Sequence, residues 1–174
     1  MASEKKSIHL DLTDVRLLDC LQADASISNQ ALAERVHISP PTCLRRVRRL
    51  REAGLIERQI AVLSPDALSP LVGHGLAAIV EVTLDRQDAQ RLDAFEVRAV
   101  ADAAVQQCWR VSPGPDFVLV VQIADMPAYL ALAQRLFTGD ANVRNVKAFF
   151  AVKRAKFAPR MDLSTAAAAL SRHG

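Results

Sequence analysis

The chain has 174 residues, 51% of them apolar, and a formal net charge of only +3. This length suits one large domain or two small ones, and so small a charge excludes a uniformly basic surface, so that any affinity for nucleic acid must come from a local patch. The polar N-terminus lacks the apolar core of a signal peptide, and no apolar run approaches the about 20 residues that cross a bilayer. Three widely spaced cysteines and four scattered histidines predict a cytoplasmic protein with reduced thiols and with neither a metal site nor a cofactor.

The first third of the chain has the apolar spacing of three short helices. The segment LDLTDVRLLDCLQ carries a helical stripe, and NQALAERV follows a serine, Ser28, that can cap its start. A tight turn at HIS then leads to a third helix. We expect that helix to be capped by Ser39 and to end at Gly54.

The third helix is strongly basic, with five arginines between Arg45 and Arg51. On a helical wheel Leu44, Val47 and Leu50 form the predicted core stripe, and most of the positive charge lies away from it. Two short helices, a tight turn and a basic helix are typical of a helix-turn-helix, whose second helix enters the major groove of DNA. The alternative is a solvated basic face that binds nothing. The predicted contacts to double-stranded DNA are Thr42, Arg45, Arg46, Arg48 and Arg49.

From residue 75 onwards the pattern changes to strands and helices in alternation. Strand character is found in GLAAIVEVTL, AVQQCWRVS, DFVLVVQIA and NVRNVKAFFAVKR, and helical character at residues 87–99 and 126–138. The order strand, helix, strand, strand, helix, strand predicts a ferredoxin-like βαββαβ domain. The whole chain is therefore predicted to be α+β, with a domain boundary between residues 64 and 74. Residues 117–123 are apolar on both strand faces, which favours a homo-oligomer.

The sequence resembles the Lrp/AsnC family of transcriptional regulators over residues 10–157. The resemblance is carried by LDLTDVRLLDCLQADASIS, by ISPPTCLRRVRRLREAGLI and by QCWRVSPGPDFVLVVQIADMPAYL. It implies a regulator that binds DNA and responds to an amino acid or related metabolite. In the family the effector domains pair into dimers that assemble into tetramers or octamers, and amino acids bind at contacts between these domains. The implied domains are residues 1–63 for DNA binding, with a linker strand from about residue 56, residues 71–157 for effector binding and oligomerisation, and a tail at 158–174.

The resemblance also marks departures from the family pattern. His37 stands in the helix-turn-helix turn where glycine is usual, often in a left-handed conformation that histidine tolerates better than most residues. The effector-site candidates are Ser112, Gly114 and Asp116, with Asp116 as the acceptor for an ammonium group. Pro113 and Pro115 flank Gly114 and lack a backbone N–H. We therefore expect polar amino acids to bind poorly at this loop.

Two other functions stay open at this stage. One is an architectural DNA-binding protein that needs no effector. The other is an enzyme similar to the sirohaem-type decarboxylases, for which the second half offers only His74 and the tail residue His173. No membrane partner is expected.

Overall fold

The structure is a computed structural model that describes residues 9–73 and 75–171, except for the side chain of Asp66. His74 and His173, which the enzyme alternative would require, lie outside the described residues. The chain forms two compact units. The first unit takes in the described chain up to Val62 and again from Phe157 onwards, and the second unit spans Leu63–Lys156.

The described residues form seven α-helices and four β-strands. The helix α6 continues without a break into a π-helical turn, Gln134–Thr138. In chain order the elements are α1 (Leu12–Ala23), α2 (Asn29–Arg35), α3 (Pro40–Glu52), α4 (Pro65–Val72), β1 (Leu76–Leu84), α5 (Ala89–Ala101), β2 (Val105–Arg110), β3 (Phe117–Ile123), α6 (Met126–Ala133), β4 (Val143–Phe150) and α7 (Ser164–Ser171).

The helix starts of the first unit follow from short polar side chains. At α1 the Asp11 carboxylate accepts from the Asp14 N–H at 2.9 Å, and the Asp11 N–H donates to the Asp14 carboxylate at 3.2 Å. This reciprocal pair is a capping box that satisfies backbone donors in the first turn. Ser28 caps α2 as expected. Ser39 occupies the N-cap position of α3, but its hydroxyl donates to Thr42 Oγ1 at 2.9 Å and accepts no backbone N–H.

The turns of the first unit adopt the expected backbone. His37 has φ 58° and Gly54 has φ 72°. The left-handed residue between α2 and α3 is therefore the histidine, and the glycine stands directly after the cap of α3, where it terminates the helix.

The core stripe of α3 differs from the expected one by one residue. Leu44 is 62% exposed, whereas Cys43, Val47 and Leu50 are buried. The spacing of four and then three residues keeps these three side chains within a narrow arc, and Leu44 lies about 100° farther round the helix. The prediction of Leu44 as a core residue was wrong, and Cys43 fills that position.

The linker is not a strand. Residues 57–64 have no regular secondary structure, and Ile60, Val62 and Leu63 are exposed. The alternating pattern there predicted a strand, but strand hydrogen bonds need a neighbouring strand, and the described residues place none beside this segment. The helix α4 follows, capped by Ser64, and the sequence reading missed it.

The second unit is the predicted ferredoxin-like domain. Its four strands form an antiparallel sheet in the order β2-β3-β1-β4. Alternate residues of β1 and β3, such as Val80 and Leu119, are buried together with Phe95 of α5 and Leu132 of α6. The helices thus cover one sheet face. Within the described part of the chain, no helix has the length and apolarity that a membrane crossing requires.

Candidate DNA interface and effector loop

The basic helix α3 is tied to α1 by a buried carboxylate. The Asp14 side chain has no solvent exposure, and it accepts hydrogen bonds from Arg46 Nη1 at 2.8 Å and from Arg49 Nη2. Arg46 Nη1 also donates to Asp11 at 2.6 Å. Two arginines of α3 therefore meet two aspartates at the start of α1, and this network sets how α3 lies against α1.

The network shifts the pKa values of Arg46 and Asp11. The carboxylates of Asp11 and Asp14 accept hydrogen bonds from Arg46 and raise the pKa of its guanidinium. Burial tends to raise the pKa of Asp11, but the Asp14 N–H and the Arg46 guanidinium outweigh it, so that the pKa lies below the ordinary value. Arg46 Nε is buried and finds no hydrogen-bond partner among the described residues. Arginines that pair with a buried carboxylate on a neighbouring helix are typical of a network that anchors a helix.

The five predicted DNA contacts divide into three groups. Arg45 is exposed and Arg48 is 80% exposed, where it makes only a 3.6 Å surface pair with Glu52. Arg46 and Arg49 have side chains 25% and 46% exposed, both directed at Asp14. Thr42 is half-buried and its hydroxyl is engaged by Ser39.

Arg46 was predicted to contact DNA, but its guanidinium pairs with Asp11 and Asp14, because the flank of α3 on which it lies faces α1. Sequence reasoning also missed the role of Asp14. A signal for it was present, since Asp14, Leu17 and Leu21 share one face of α1 and all three are buried. A carboxylate on the buried stripe of a helix requires a cationic partner.

The predicted effector residues lie in the hairpin between β2 and β3. The hairpin is closed by the Val111 N–H, which donates to the Asp116 carbonyl at 3.1 Å, and is joined to β1 by the Asp116 N–H, which donates to the Val82 carbonyl at 2.9 Å. The Asp116 carboxylate Oδ2 accepts from the Leu84 N–H at 2.6 Å and from Gln87 Nε2 at 3.3 Å. Asp116 therefore holds the loop in place, and its second oxygen is the one that remains for an ammonium group.

Ser112 and Gly114 stand at the tip of this hairpin, and both are exposed. Gly114 has φ 122°, a backbone conformation that side chains other than hydrogen disfavour. Because Pro113 and Pro115 have no N–H, the tip presents the N–H groups of Ser112 and Gly114, and neither makes a hydrogen bond within the described chain. The structure thus gathers the three candidates in one loop, with two exposed backbone donors.

The C-terminal segment packs on α1 and α2. Gln22 of α1 donates to the Met161 carbonyl at 2.8 Å and accepts from the Met161 N–H at 2.9 Å, and Arg160 pairs with Asp19 at 2.9 Å. A cavity of about 520 Å³ lies between this segment, α1 and α2, with Val15, Cys20 and Val36 in its wall. The described part of the predicted tail, residues 158–171, is therefore a structured part of the first unit and includes α7.

Comparison with known proteins covers both units. Residues 10–57 match the family model described as winged helix-turn-helix DNA-binding, and residues 77–161 match the Lrp/AsnC ligand binding domain. A leucine-responsive regulatory protein of Rhizobium meliloti is 35% identical over 156 residues, which make up 90% of this chain and 97% of that protein. The chain belongs to the Lrp/AsnC family of transcriptional regulators. It is a DNA-binding regulator with a ligand-binding domain, and α1–α3 and the four-stranded sheet are the two parts that the matches cover.

A further relative and two solved structures are also similar to this chain. The leucine-responsive regulatory protein of Escherichia coli K12 is 32% identical over 90% of this chain and 93% of that protein. A Neisseria meningitidis transcriptional regulator, solved as a complex with L-methionine, has a TM-score of 0.78 at 27% identity and covers 91% of this chain and 99% of that one. An AsnC-family regulator from Agrobacterium tumefaciens has a TM-score of 0.77 at 26% identity, with coverages of 90% and 99%. The predicted fold class is confirmed.

Proposed function

We propose that this Lrp/AsnC regulator contacts double-stranded DNA through the exposed N-terminal face of α3, with Arg45 and Arg48 as direct contacts. The observation that carries the proposal is the division of the arginines. Arg46 and Arg49 pair with the buried Asp14, whereas Arg45 and Arg48 are directed to solvent. An exposed arginine grips phosphate or binds guanine through two hydrogen bonds. The anchored pair holds the helix at a defined angle.

Thr42 and Arg49 have secondary parts in this proposal. Thr42 lies in the first turn of α3, which a recognition helix points at base edges, and its hydroxyl is within reach of DNA once it leaves Ser39. Arg49 is half-exposed, so that it can contact a phosphate with the guanidinium nitrogens that Asp14 does not use. Arg46 acts through Asp14 as a positioning residue.

The salt dependence of DNA binding tests this assignment. We expect Arg45→Ala and Arg48→Ala to weaken binding, by about 1–3 kcal/mol where the arginine reads a base, or with a salt slope lower by about 1 where it holds a phosphate. Arg46→Ala should lower the unfolding temperature of the first unit and leave the salt slope unchanged. Arg58→Ala, which removes the same charge from an exposed residue beyond α3, is the control. Equal losses for Arg45→Ala and Arg58→Ala would contradict the proposal.

We also infer that the protein forms a homodimer through the sheet face that the helices leave open, and that dimers assemble further into tetramers or octamers. Two cross-strand rows support this. Gln107, Val120, Ile79 and Phe149 form one row across the four strands, and Trp109, Val118, Glu81 and Lys147 form the next. Ile79, Trp109 and Phe149 are exposed. Large apolar side chains clustered on one sheet face mark a protein interface.

Light scattering tests the dimer. Phe149→Glu should shift the mass toward the monomer, since it puts a charge on this apolar face beside Ile79. Val97→Glu, at a similarly exposed apolar residue on α5, should leave the mass unchanged. A monomeric wild-type protein at micromolar concentration would refute the inference.

The proposed effector is an apolar amino acid or a related small metabolite, bound at the loop of Ser112, Gly114 and Asp116 and completed by a neighbouring copy. Support comes from the match to the Lrp/AsnC ligand binding domain and from the complex of the Neisseria regulator with L-methionine. The two prolines leave few donors for a carboxylate, and each buried acceptor without a donor costs about 1–3 kcal/mol. The loop offers a polar amino acid few other groups that could compensate for the missing hydrogen bonds.

Calorimetry with the standard amino acids tests the effector. We expect apolar amino acids to bind more tightly than asparagine, serine or lysine, whose dissociation constants should be no tighter than about millimolar. Asp116→Asn should weaken the binding of the ammonium group, and Asp125→Asn, at the cap of α6, is the control. Micromolar binding of a polar amino acid would contradict the proposal.

The donor-poor loop also favours one alternative, an architectural DNA-binding protein without an effector. DNA binding that is unchanged by every standard amino acid would support this alternative. In either form we propose a cytoplasmic regulator that catalyses no reaction. The described residues contain no group of three or more His, Cys, Asp or Glu side chains placed to hold a metal ion.

A further inference from the structure

The surface of α3 that faces solvent includes one large apolar side chain. Leu44 is 62% exposed, whereas its neighbour Cys43 is fully buried. Burial of a leucine side chain stabilises a protein by about 1.5–3 kcal/mol, and Leu44 contributes little of this in the free protein. It lies in the N-terminal half of the recognition helix, the part that approaches base edges.

The surroundings of Leu44 are those of a groove-facing residue. The exposed Pro41 lies one helical turn before Leu44 on the same side of α3, and Arg48 lies one turn after it. Arg45 follows Leu44 in sequence and is also exposed. Arg46 and Arg49 are on the other flank, against α1. A small apolar surface of Pro41 and Leu44 is therefore bordered by two cations that attract phosphate.

The leucine side chain has no hydrogen-bond donor or acceptor, so it recognises a base only by apolar contact. In the major groove the apolar group that distinguishes one base from the others is the C5-methyl of thymine. We propose that Leu44 is a specificity-determining residue that recognises a thymine through contact with this methyl group. The proposal rests on the placement of α3 in the major groove and adds a base preference that the arginines do not provide.

The expected size of the effect follows from the area of one methyl group. Removing a contact of that size from an apolar interface weakens binding roughly fourfold for each thymine contacted. A twofold symmetric protein on a symmetric site contacts two such thymines, which gives a loss on the order of 15-fold for the full site.

Replacement of thymine by uracil tests the proposal, because it deletes the methyl group and leaves the base pair intact. DNA sequences would first be enriched from a randomised duplex pool with the full-length protein. Each thymine of the enriched sequence would then be replaced by uracil, and dissociation constants measured for wild type and for Leu44→Ala. Leu55→Ala, at an exposed leucine just beyond α3, is the matched control.

In each half-site, replacing one particular thymine by uracil should weaken DNA binding by the wild type and by Leu55→Ala roughly fourfold. The same replacement should leave DNA binding by Leu44→Ala unchanged. The proposal is overturned if no uracil replacement weakens the wild type, if Leu44→Ala shows the same uracil penalty, or if Leu44→Ala changes the oligomer mass without DNA. Failure to enrich any sequence would instead refute sequence-specific DNA binding itself, so that the two failures are distinguishable. Leu44 is exposed, and its substitution should leave the fold intact.

Discussion

Asp14→Asn removes one negative charge from the first unit and almost no volume. The asparagine oxygen can still accept the Asp11 N–H and maintain the capping box. Both arginine pairs lose their charged acceptor, however, because Asp14 is the shared partner of Arg46 and Arg49. The substitution therefore tests the anchoring of α3 by the Asp14 carboxylate, since the amide also replaces one acceptor oxygen by an NH2 donor.

The magnitude follows from the burial of the three side chains. Removing one member of a buried ion pair costs about 3–5 kcal/mol when the other charge stays buried and unpaired. Here the remaining side chains, Arg46 and Arg49, are 25% and 46% exposed. Water reaches both guanidinium groups, and Arg46 keeps Asp11 as a partner. We therefore expect a loss of about 2–3 kcal/mol in the free energy of unfolding of the first unit, or a fall of about 10–20 °C in its unfolding temperature.

Differential scanning calorimetry of the full-length protein, with amide hydrogen exchange to assign each transition to a unit, measures this loss. The matched control is Asp19→Asn, which makes the same chemical change on the same helix. Asp19 pairs with Arg160 at the surface, where both side chains are about half exposed, and the cost should be below about 1 kcal/mol. Equal destabilisation by the two variants, or a stable Asp14→Asn protein with faster exchange only in the second unit, would refute the anchoring role.

Three further outcomes are expected. Burial raises the pKa of the Cys43 thiol and closes it to reagents, so N-ethylmaleimide should modify the half-buried Cys20 first; mass spectrometry showing equal rates would contradict this packing. Deletion of residues 157–174 should lower the unfolding free energy of the first unit by about 1–3 kcal/mol, because the two hydrogen bonds between Met161 and Gln22 are lost. Calorimetry that shows no change would count against a structural role of the tail. Because the folded pKa of Asp11 is lowered, its contribution to stability is complete above the unfolded pKa of about 3.9 and is lost as pH falls through the folded value. Asp11→Asn should flatten the acid limb of the stability curve, and an unchanged acid limb would refute this reasoning.

Several features of this protein were readable from neighbouring residues alone. Ser28 before an apolar stripe predicted the start of α2, and Gly54 predicted the end of α3. The left-handed conformation of His37 was implied by the family resemblance and not by its neighbours, and the structure has it. Strand-like composition predicted all four strands of the second unit and their order along the chain. These signals are local, because caps, turns and strand faces depend on residues only a few positions apart.

Features that depend on which surface meets another element were not readable in this way. A wheel places Leu44 beside Val47, but only the packing of α1 and α2 shows that Cys43 is inside and Leu44 outside. The same wheel places Arg46 on a flank of the apolar stripe, and only the structure shows that this flank faces α1 and the buried Asp14 carboxylate.

The linker and the tail show the same limit. Residues 57–64 alternate like a strand but have no strand beside them in this chain, and the C-terminal segment returns to α1 across 139 residues of sequence. A sequence pattern indicates which secondary structure each segment favours. Whether the segment forms that structure depends on the neighbouring element that the tertiary structure provides. For α3 that partner is α1, whose Asp14 pairs with Arg46 and Arg49, while Leu44, Arg45 and Arg48 stay exposed.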